Sequence, residues 1–160
     1  MRPSIRGFTL IELMVVIAII GMLAAMSIPN LTSRYVRQQV QEGVGFAEFA
    51  REQVQAFYAK THRMPRDNAE AGLPPADAII GNYVTRVEIA DGVINVRFGS
   101  RVTRSVEGKW LSVRPGIVAH YAQIPISWSC GNARPVPGLT YTGVNRTDMA
   151  PEELPIDCRM

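Results

Sequence analysis

The 160-residue chain has room for one domain, with 47% hydrophobic residues and a formal net charge of +3. Two of its basic residues, Arg2 and Arg6, stand at the N-terminus, so the remainder is closer to neutral and bulk charge makes no case for nucleic acid as a partner. No P-loop, G-x-S-x-G, H-E-x-x-H or Cys–His pairing is present, so the chain reads as a non-enzyme with no cofactor and no metal centre.

The first element is an apolar run. Leu13 to Met26 carries no charge and no strongly polar side chain. With Phe8 to Ile11 ahead of it and Ile28 behind, the stretch reaches the roughly 20 residues that a helix needs to cross a bilayer. Glu12 interrupts it. A carboxylate inside a membrane helix costs about 2.5–3.5 kcal/mol on insertion scales, so it calls for a partner. No Lys or Arg lies within the run, and Arg6 would sit at the membrane surface. The other source is a second copy of the helix, whose Phe8 amine would serve if the chain were cut after Gly7. A cleaved secretory signal fits less well, because Glu12 stands where its apolar core would begin and no A-x-A site closes the run. A plain membrane anchor explains the hydrophobicity but not Glu12. Arg2 and Arg6 orient the segment with its start in the cytoplasm and the rest exported.

Gly7-Phe8-Thr9-Leu10-Ile11-Glu12, followed by Leu13-Met14-Val15-Val16-Ile17-Ala18-Ile19-Ile20-Gly21, resembles the processing site and N-terminal helix of type IV pilins and pseudopilins. The resemblance implies that residues 1–7 are a prepilin leader, removed by a prepilin peptidase that cuts between Gly7 and Phe8 and methylates Phe8. It implies that residues 8–30 form a hydrophobic transmembrane and assembly helix. In the filament, the Phe8 amine of one subunit would neutralise Glu12 of its neighbour. The implied partners are further copies in a helical homopolymer, the peptidase, the pilus assembly machinery and the inner membrane that holds the precursor. The implied destination is an extracellular pilus serving adhesion, twitching motility or DNA uptake. A minor pilin, a DNA-binding pilin and a pseudopilin of a type II secretion system share the motif and stay open.

Further along, Gly21 and Pro29 weaken the helix, and the segment between them is a candidate for a kink or local melting. Residues 31–60 read as an amphipathic helix with a stripe of Val36, Val40, Val44, Ala47, Val54 and Phe57/Tyr58, while Gly43 and Gly45 permit curvature or close approach. Residues 61–82, with Pro65, Gly72, Pro74, Pro75 and Gly81, read as a loop with short helical turns near Asp67–Ala71 or Pro75–Ile80. Residues 83–130 read as an antiparallel sheet. Two strands flank the Asp91-Gly92 turn, a third runs over Lys109–Arg114 and is broken at Pro115-Gly116, Ile117–Tyr121 either continues it or forms an irregular link, and a last one runs over Ile124–Cys130. Phe98 and Trp110 are expected to face the core. The fold class is α+β: a long N-terminal helix, half membrane-spanning and half amphipathic, packed on a roughly four-stranded antiparallel sheet, which the resemblance identifies with the pilin fold.

Residues 130–158 are rich in Pro and Gly and predict little regular structure. Their edges, Trp128-Ser129-Cys130-Gly131 and Leu154-Pro155-Ile156-Asp157-Cys158, resemble the disulfide-bounded loop of type IVa pilins. After export Cys130 and Cys158 would meet an oxidising compartment, which favours a disulfide over a metal pair. Asp148, Glu152, Glu153 and Asp157 fit no calcium-loop spacing. The strand-region cations Arg97, Arg101, Arg104 and Lys109 are the candidates for DNA contact. The competing reading is a solvated face with inter-subunit salt bridges.

Overall fold

The computed structural model describes residues 7–121 and 123–159, with the side chains of 27–33 outside that description. Residues 1–6 of the expected leader, including Arg2 and Arg6, lie outside the described residues. The chain divides into an N-terminal unit ending at Arg34 and a head beginning at Tyr35.

Helix α1 spans Leu10–Thr61. It opens on a reciprocal cap. Glu12 Oε2 accepts the Thr9 backbone N–H and the Thr9 hydroxyl, both at 2.8 Å, and Thr9 Oγ accepts the Glu12 N–H at 3.3 Å. This is the capping-box arrangement, which satisfies orphan donors of the first helical turn. From Leu10 to Met26 every residue is exposed. Among the described residues no helix is long and apolar enough to cross a membrane. The expected span, 8–30, takes in positions whose side chains are outside the description. The helical backbone of α1 includes both Gly21 and Pro29.

In the head, α1 buries Val36, Gln39, Val40, Ala47, Ala50, Val54 and Tyr58. This is the predicted stripe, widened by Gln39 and Ala50, with Val44 half-buried beside it. Gly43 belongs to the stripe too: a Cβ there would overlap the ring of Phe98. The helix stops where Thr61 turns its hydroxyl back to the Phe57 carbonyl at 2.9 Å and His62 takes a left-handed φ of 54°.

The sheet comprises β1 (Val84–Ala90), β2 (Val93–Phe98), β3 (Trp110–Ile117), β4 (Ser127–Cys130) and β5 (Thr140–Tyr141). The order is β1-β2-β3-β4, all antiparallel, with β5 also on β3. The β1–β2 turn is Asp91-Gly92, with φ of 51° and 81°, the double positive φ that a two-residue hairpin demands. Val87, Ile89, Ile94, Val96, Phe98, Leu111 and Val113 face α1 and form the core.

Three sequence expectations need correction. First, β3 does not end at Pro115-Gly116 but runs through it to Ile117. Pro115 offers its carbonyl to Thr142 N–H, so its nitrogen faces the junction between β2 and β5, where no ladder bond is lost. Second, the C-terminal loop contributes a strand: β5 pairs Tyr141 with Gly116 and Thr140 with Ile117. Third, Trp110 does not join the core. It lies opposite Arg97 on the outer face of the sheet.

The segment between α1 and β1 runs along the free edge of β1. Asn68 is buried there, donating to the carbonyls of Pro74 (2.9 Å) and Val87 (3.0 Å) and accepting the Ile89 N–H at 2.7 Å. Gly92 and Asp91 donate to Pro65 and Arg66. These bonds blunt an edge that would otherwise be a template for strand pairing. One short helical turn, Ala76–Ala78, falls where one was expected.

Candidate functional site

Three regions carry the sequence-predicted positions. At the N-terminus, Gly7, Phe8 and Thr9 are exposed and precede the helix without regular structure, with Phe8 87% exposed. A bond in such a segment can enter a peptidase in extended form, which a helical peptide cannot do without unwinding. Glu12 stands one turn further on, its carboxylate held within its own chain by Thr9. The structure therefore brings Phe8, Thr9 and Glu12 together at the start of one helix.

At the opposite end of the sequence, Cys130 and Cys158 form a disulfide across a separation of 28 residues. The covalent closure is only part of what orders this region. Gly131 donates to Ser112 and Asn132 to Cys158, each at 2.8 Å. From β5, beside the end of β3 on the side β2 occupies, the chain crosses the outer face of the sheet to the other flank of β3. Gly143 lies so close to Val93 that a Cβ would overlap it. Asn145 donates to the Gly131 carbonyl, and Arg146 N–H donates to Ser112 Oγ, which in turn donates to Asn95 Oδ1 at 2.7 Å. Ser112 N–H then reaches Thr147 Oγ1, and Trp110 N–H reaches Asp148 at 2.7 Å. This crossing buries Val93, Asn95 and Ser112, which alternation alone would place in water. Sequence reasoning missed it because a Pro/Gly-rich segment has no periodicity. The available signal was the polar pair Asn95 and Ser112, unexpected on strands otherwise so apolar.

Two of the four acidic residues of this loop, Asp148 and Glu153, are engaged by the fold. Glu153 accepts Lys109 Nζ at 2.8 Å and the Ala150 N–H at 2.9 Å, and Asp148 holds Trp110. Among the described residues no group of three or more His, Cys, Asp or Glu is placed to hold a metal ion.

The four cations singled out for DNA contact do not share one strand face. Lys109 is neutralised by Glu153. Arg101 and Arg104 lie in the β2–β3 connection, exposed. Arg97 alone projects from a strand, its guanidinium 5.7 Å from the Trp110 ring centre. Its companions are Arg146, which the sequence did not single out, 5.8 Å from the same ring and paired with Glu88, and the strand-region Arg86, paired with Glu88 at 2.9 Å.

Comparison with known proteins accounts for both ends of the chain. The pilin family (bacterial filament) matches residues 36–159, and the prokaryotic N-terminal methylation motif matches residues 2–28. The type IV major pilin protein PilE1 of Neisseria gonorrhoeae is 34% identical over 161 residues, covering 96% of this chain and 87% of the relative. The fimbrial protein of Neisseria meningitidis serogroup B is 37% identical over 127 residues, covering 79% and 72%. The fimbrial protein EcpC of Eikenella corrodens is 39% identical over 114 residues, covering 68% and 73%. With a head of this architecture and a methylation motif on the same polypeptide, the chain belongs to the pilin family and is a structural subunit of an extracellular bacterial filament.

Proposed function

We propose that this chain is the major subunit of a type IV pilus, held in the inner membrane as a precursor, cut between Gly7 and Phe8, methylated at Phe8 and polymerised through its N-terminal helix. The observation that carries this reading is the joining of an exposed, non-helical Gly7–Thr9 to an uncovered apolar helix half and a folded pilin head. In the precursor, Thr9 keeps the Glu12 carboxylate solvated by its own chain. On assembly the charged Phe8 amine of another subunit replaces it, exchanging a neutral donor for a charged one in a low-dielectric surrounding, where such a bond is stronger. Gly21 and Pro29 are where the helix would bend or locally melt as subunits pack.

Mass spectrometry of a filament fraction sheared from the native cell tests the reading. The expected species begins at a methylated Phe8, is two hydrogens light at Cys130 and Cys158, and dominates the fraction. If it is present only in traces, the chain is a minor pilin; if it is confined to the membrane, it is a pseudopilin.

A second reading, contact with duplex DNA, has its own observation in the exposed Arg97 and Arg146 beside Trp110. It predicts filament–DNA binding that weakens steeply with salt and falls in Arg97→Ala. Binding unchanged by salt or by that substitution would remove it.

A further inference from the structure

The two edges of the sheet are treated differently. The β1 edge is covered by the loop after α1, through Asn68. At the other edge β4 pairs with β3 alone. Gly131 donates to Ser112, which sets the phase of that ladder: Ser127 and Ser129 turn N–H and C=O toward β3, and Trp128 and Cys130 turn theirs away. The Cys130 carbonyl accepts Ala133 N–H at 3.1 Å. The Trp128 N–H and C=O meet no partner among the described residues. They open on a groove of about 490 Å³ that all four residues of β4 line. One wall is α1, through Val44, Glu48 and Arg51; the other is the disulfide-bounded loop, through Arg134, Val136 and Tyr141. The walls differ in charge. Arg51 is paired with Glu48 at 3.1 Å and lies over Trp128, 5.4 Å from the ring centre, so the charges of the α1 wall cancel. On the loop side Arg134 is exposed, and Arg114, opposite Ser129, lies 5.5 Å from the Tyr141 ring centre. Neither has an ion-pair partner among the described residues, and Arg114 Nε is buried without an acceptor. Asp157 is exposed at the Cys158 end of the groove.

We infer that this groove binds an extended acidic peptide of another protein, which adds to β4 as a further antiparallel strand. Two observations select that occupant. The first is the pair of unmet backbone groups on one residue. A lone anion would meet the Trp128 N–H and leave the C=O without a donor, whereas one peptide residue answers both, as the reciprocal pair of an antiparallel ladder does. The second is the charge of the walls. Successive side chains of an added strand alternate between the faces of the sheet. The residue opposite Trp128 turns its side chain to the α1 face, where Val44 and the Trp128 ring favour an apolar group. The residues before and after it turn to the other face, beside Ser127 and Ser129, where carboxylates complete the guanidiniums of Arg114 and Arg134 with charge-assisted hydrogen bonds. The inference goes beyond the filament-subunit reading: it uses neither the N-terminal helix nor polymerisation.

The test uses the full chain in detergent micelles and a fluorescent peptide, Thr-Glu-Val-Glu-Thr, blocked at both ends. Saturable binding is expected, with hydrogen exchange at the Trp128 amide slowed at least about tenfold at saturation. Methylating the valine nitrogen removes the donor to the Trp128 carbonyl and should weaken binding about tenfold, the worth of one hydrogen bond. Replacing both glutamates of the peptide by lysine should weaken it at least as much, and Arg134→Glu, at an exposed position, should reverse part of that preference. Three results would overturn the inference: no saturation at millimolar peptide, an N-methylated peptide that binds like the parent, or a Trp128 amide whose exchange the peptide leaves unchanged. A lysine peptide bound as tightly as the glutamate one would overturn the acidic class of ligand.

Discussion

The two faces of α1 in the head differ in who covers them. Val36, Val40, Ala47, Ala50 and Val54 are buried by the sheet of the same chain, whereas Gly45 and Phe49 on the opposite side, like the whole run from Phe8 to Met26, are left exposed. Gly43 and Gly45, two residues apart, condense the contrast. The first has no side chain because Phe98 occupies the space; the second has no side chain and open space above it. The first face is completed by folding, and the second is not. Fully burying a Val- or Phe-sized side chain contributes about 1.5–3 kcal/mol, to head stability on the first face and, under the proposed polymerisation through the N-terminal helix, to filament cohesion along the Phe8–Met26 run. The two quantities should respond to different substitutions.

The largest expected effect lies wholly on the assembly side. Glu12→Val removes the carboxylate proposed to pair with the incoming amine, and is expected to lower filament yield by more than tenfold while the head melts at the parental temperature. Normal piliation in that variant would sink the pairing. Next comes an effect wholly on the folding side. In the chain-entropy model a disulfide closing a 28-residue separation contributes about 3.5 kcal/mol. Cys158→Ser, made with Cys130→Ser so that no thiol is left unpaired, should lower the head's unfolding free energy by up to that amount. It should not unfold the region outright, because residues 140–148 stay bonded to β3. Denaturant titration measures it, and a loss under about 1 kcal/mol would mean that the non-covalent crossing alone holds the loop. Smaller again is Gly43→Leu, which forces a side chain into the Phe98 ring and should cost roughly 1–3 kcal/mol by overpacking. Its mirror image, Gly45→Leu, should cost the head nothing.

How legible this was in the sequence depends on the kind of signal. The stripe on α1 and the Asp91-Gly92 hairpin were readable because helical periodicity and positive φ leave local marks. The continuation of β3 through Pro115 was not, because a proline breaks a strand only if its nitrogen faces a ladder partner, and that depends on where β5 lands. The inward placement of Trp110 failed for a related reason: hydrophobic character suggests burial, but the outer face here is itself covered, and the ring packs between Arg97 and Arg146. The scatter of the four predicted cations was not legible either, because Glu153, the partner of Lys109, lies 44 residues away in sequence and Arg101 and Arg104 fall in the β2–β3 connection. At the N-terminus the motif named Gly7, Phe8 and Glu12, but the role of Thr9 in holding Glu12 needed coordinates.

The smallest effect sharpens the folding side from its periphery. Arg63 and Glu70 form a two-pronged pair at 2.7 and 3.2 Å, and Glu70 also accepts the Arg66 N–H at 2.9 Å, clamping the loop that covers the β1 edge. These bonds, those from Arg63 first, draw the Glu70 carboxyl down from its ordinary 4.5 to about 2. A lowered folded-state value stabilises the fold above the ordinary pKa and ceases to do so as pH falls through the lowered one. The pair is solvent-exposed and screened, so its contribution is small. Glu70→Gln should therefore melt slightly below the parent at pH 6, and the two curves should converge between pH 4.5 and pH 2 because only the parent loses a charged acceptor there. A gap independent of pH would assign the effect to lost packing rather than to the carboxylate. Filament yield should not change in either case, since the clamp lies on the side of the comparison that folding alone completes.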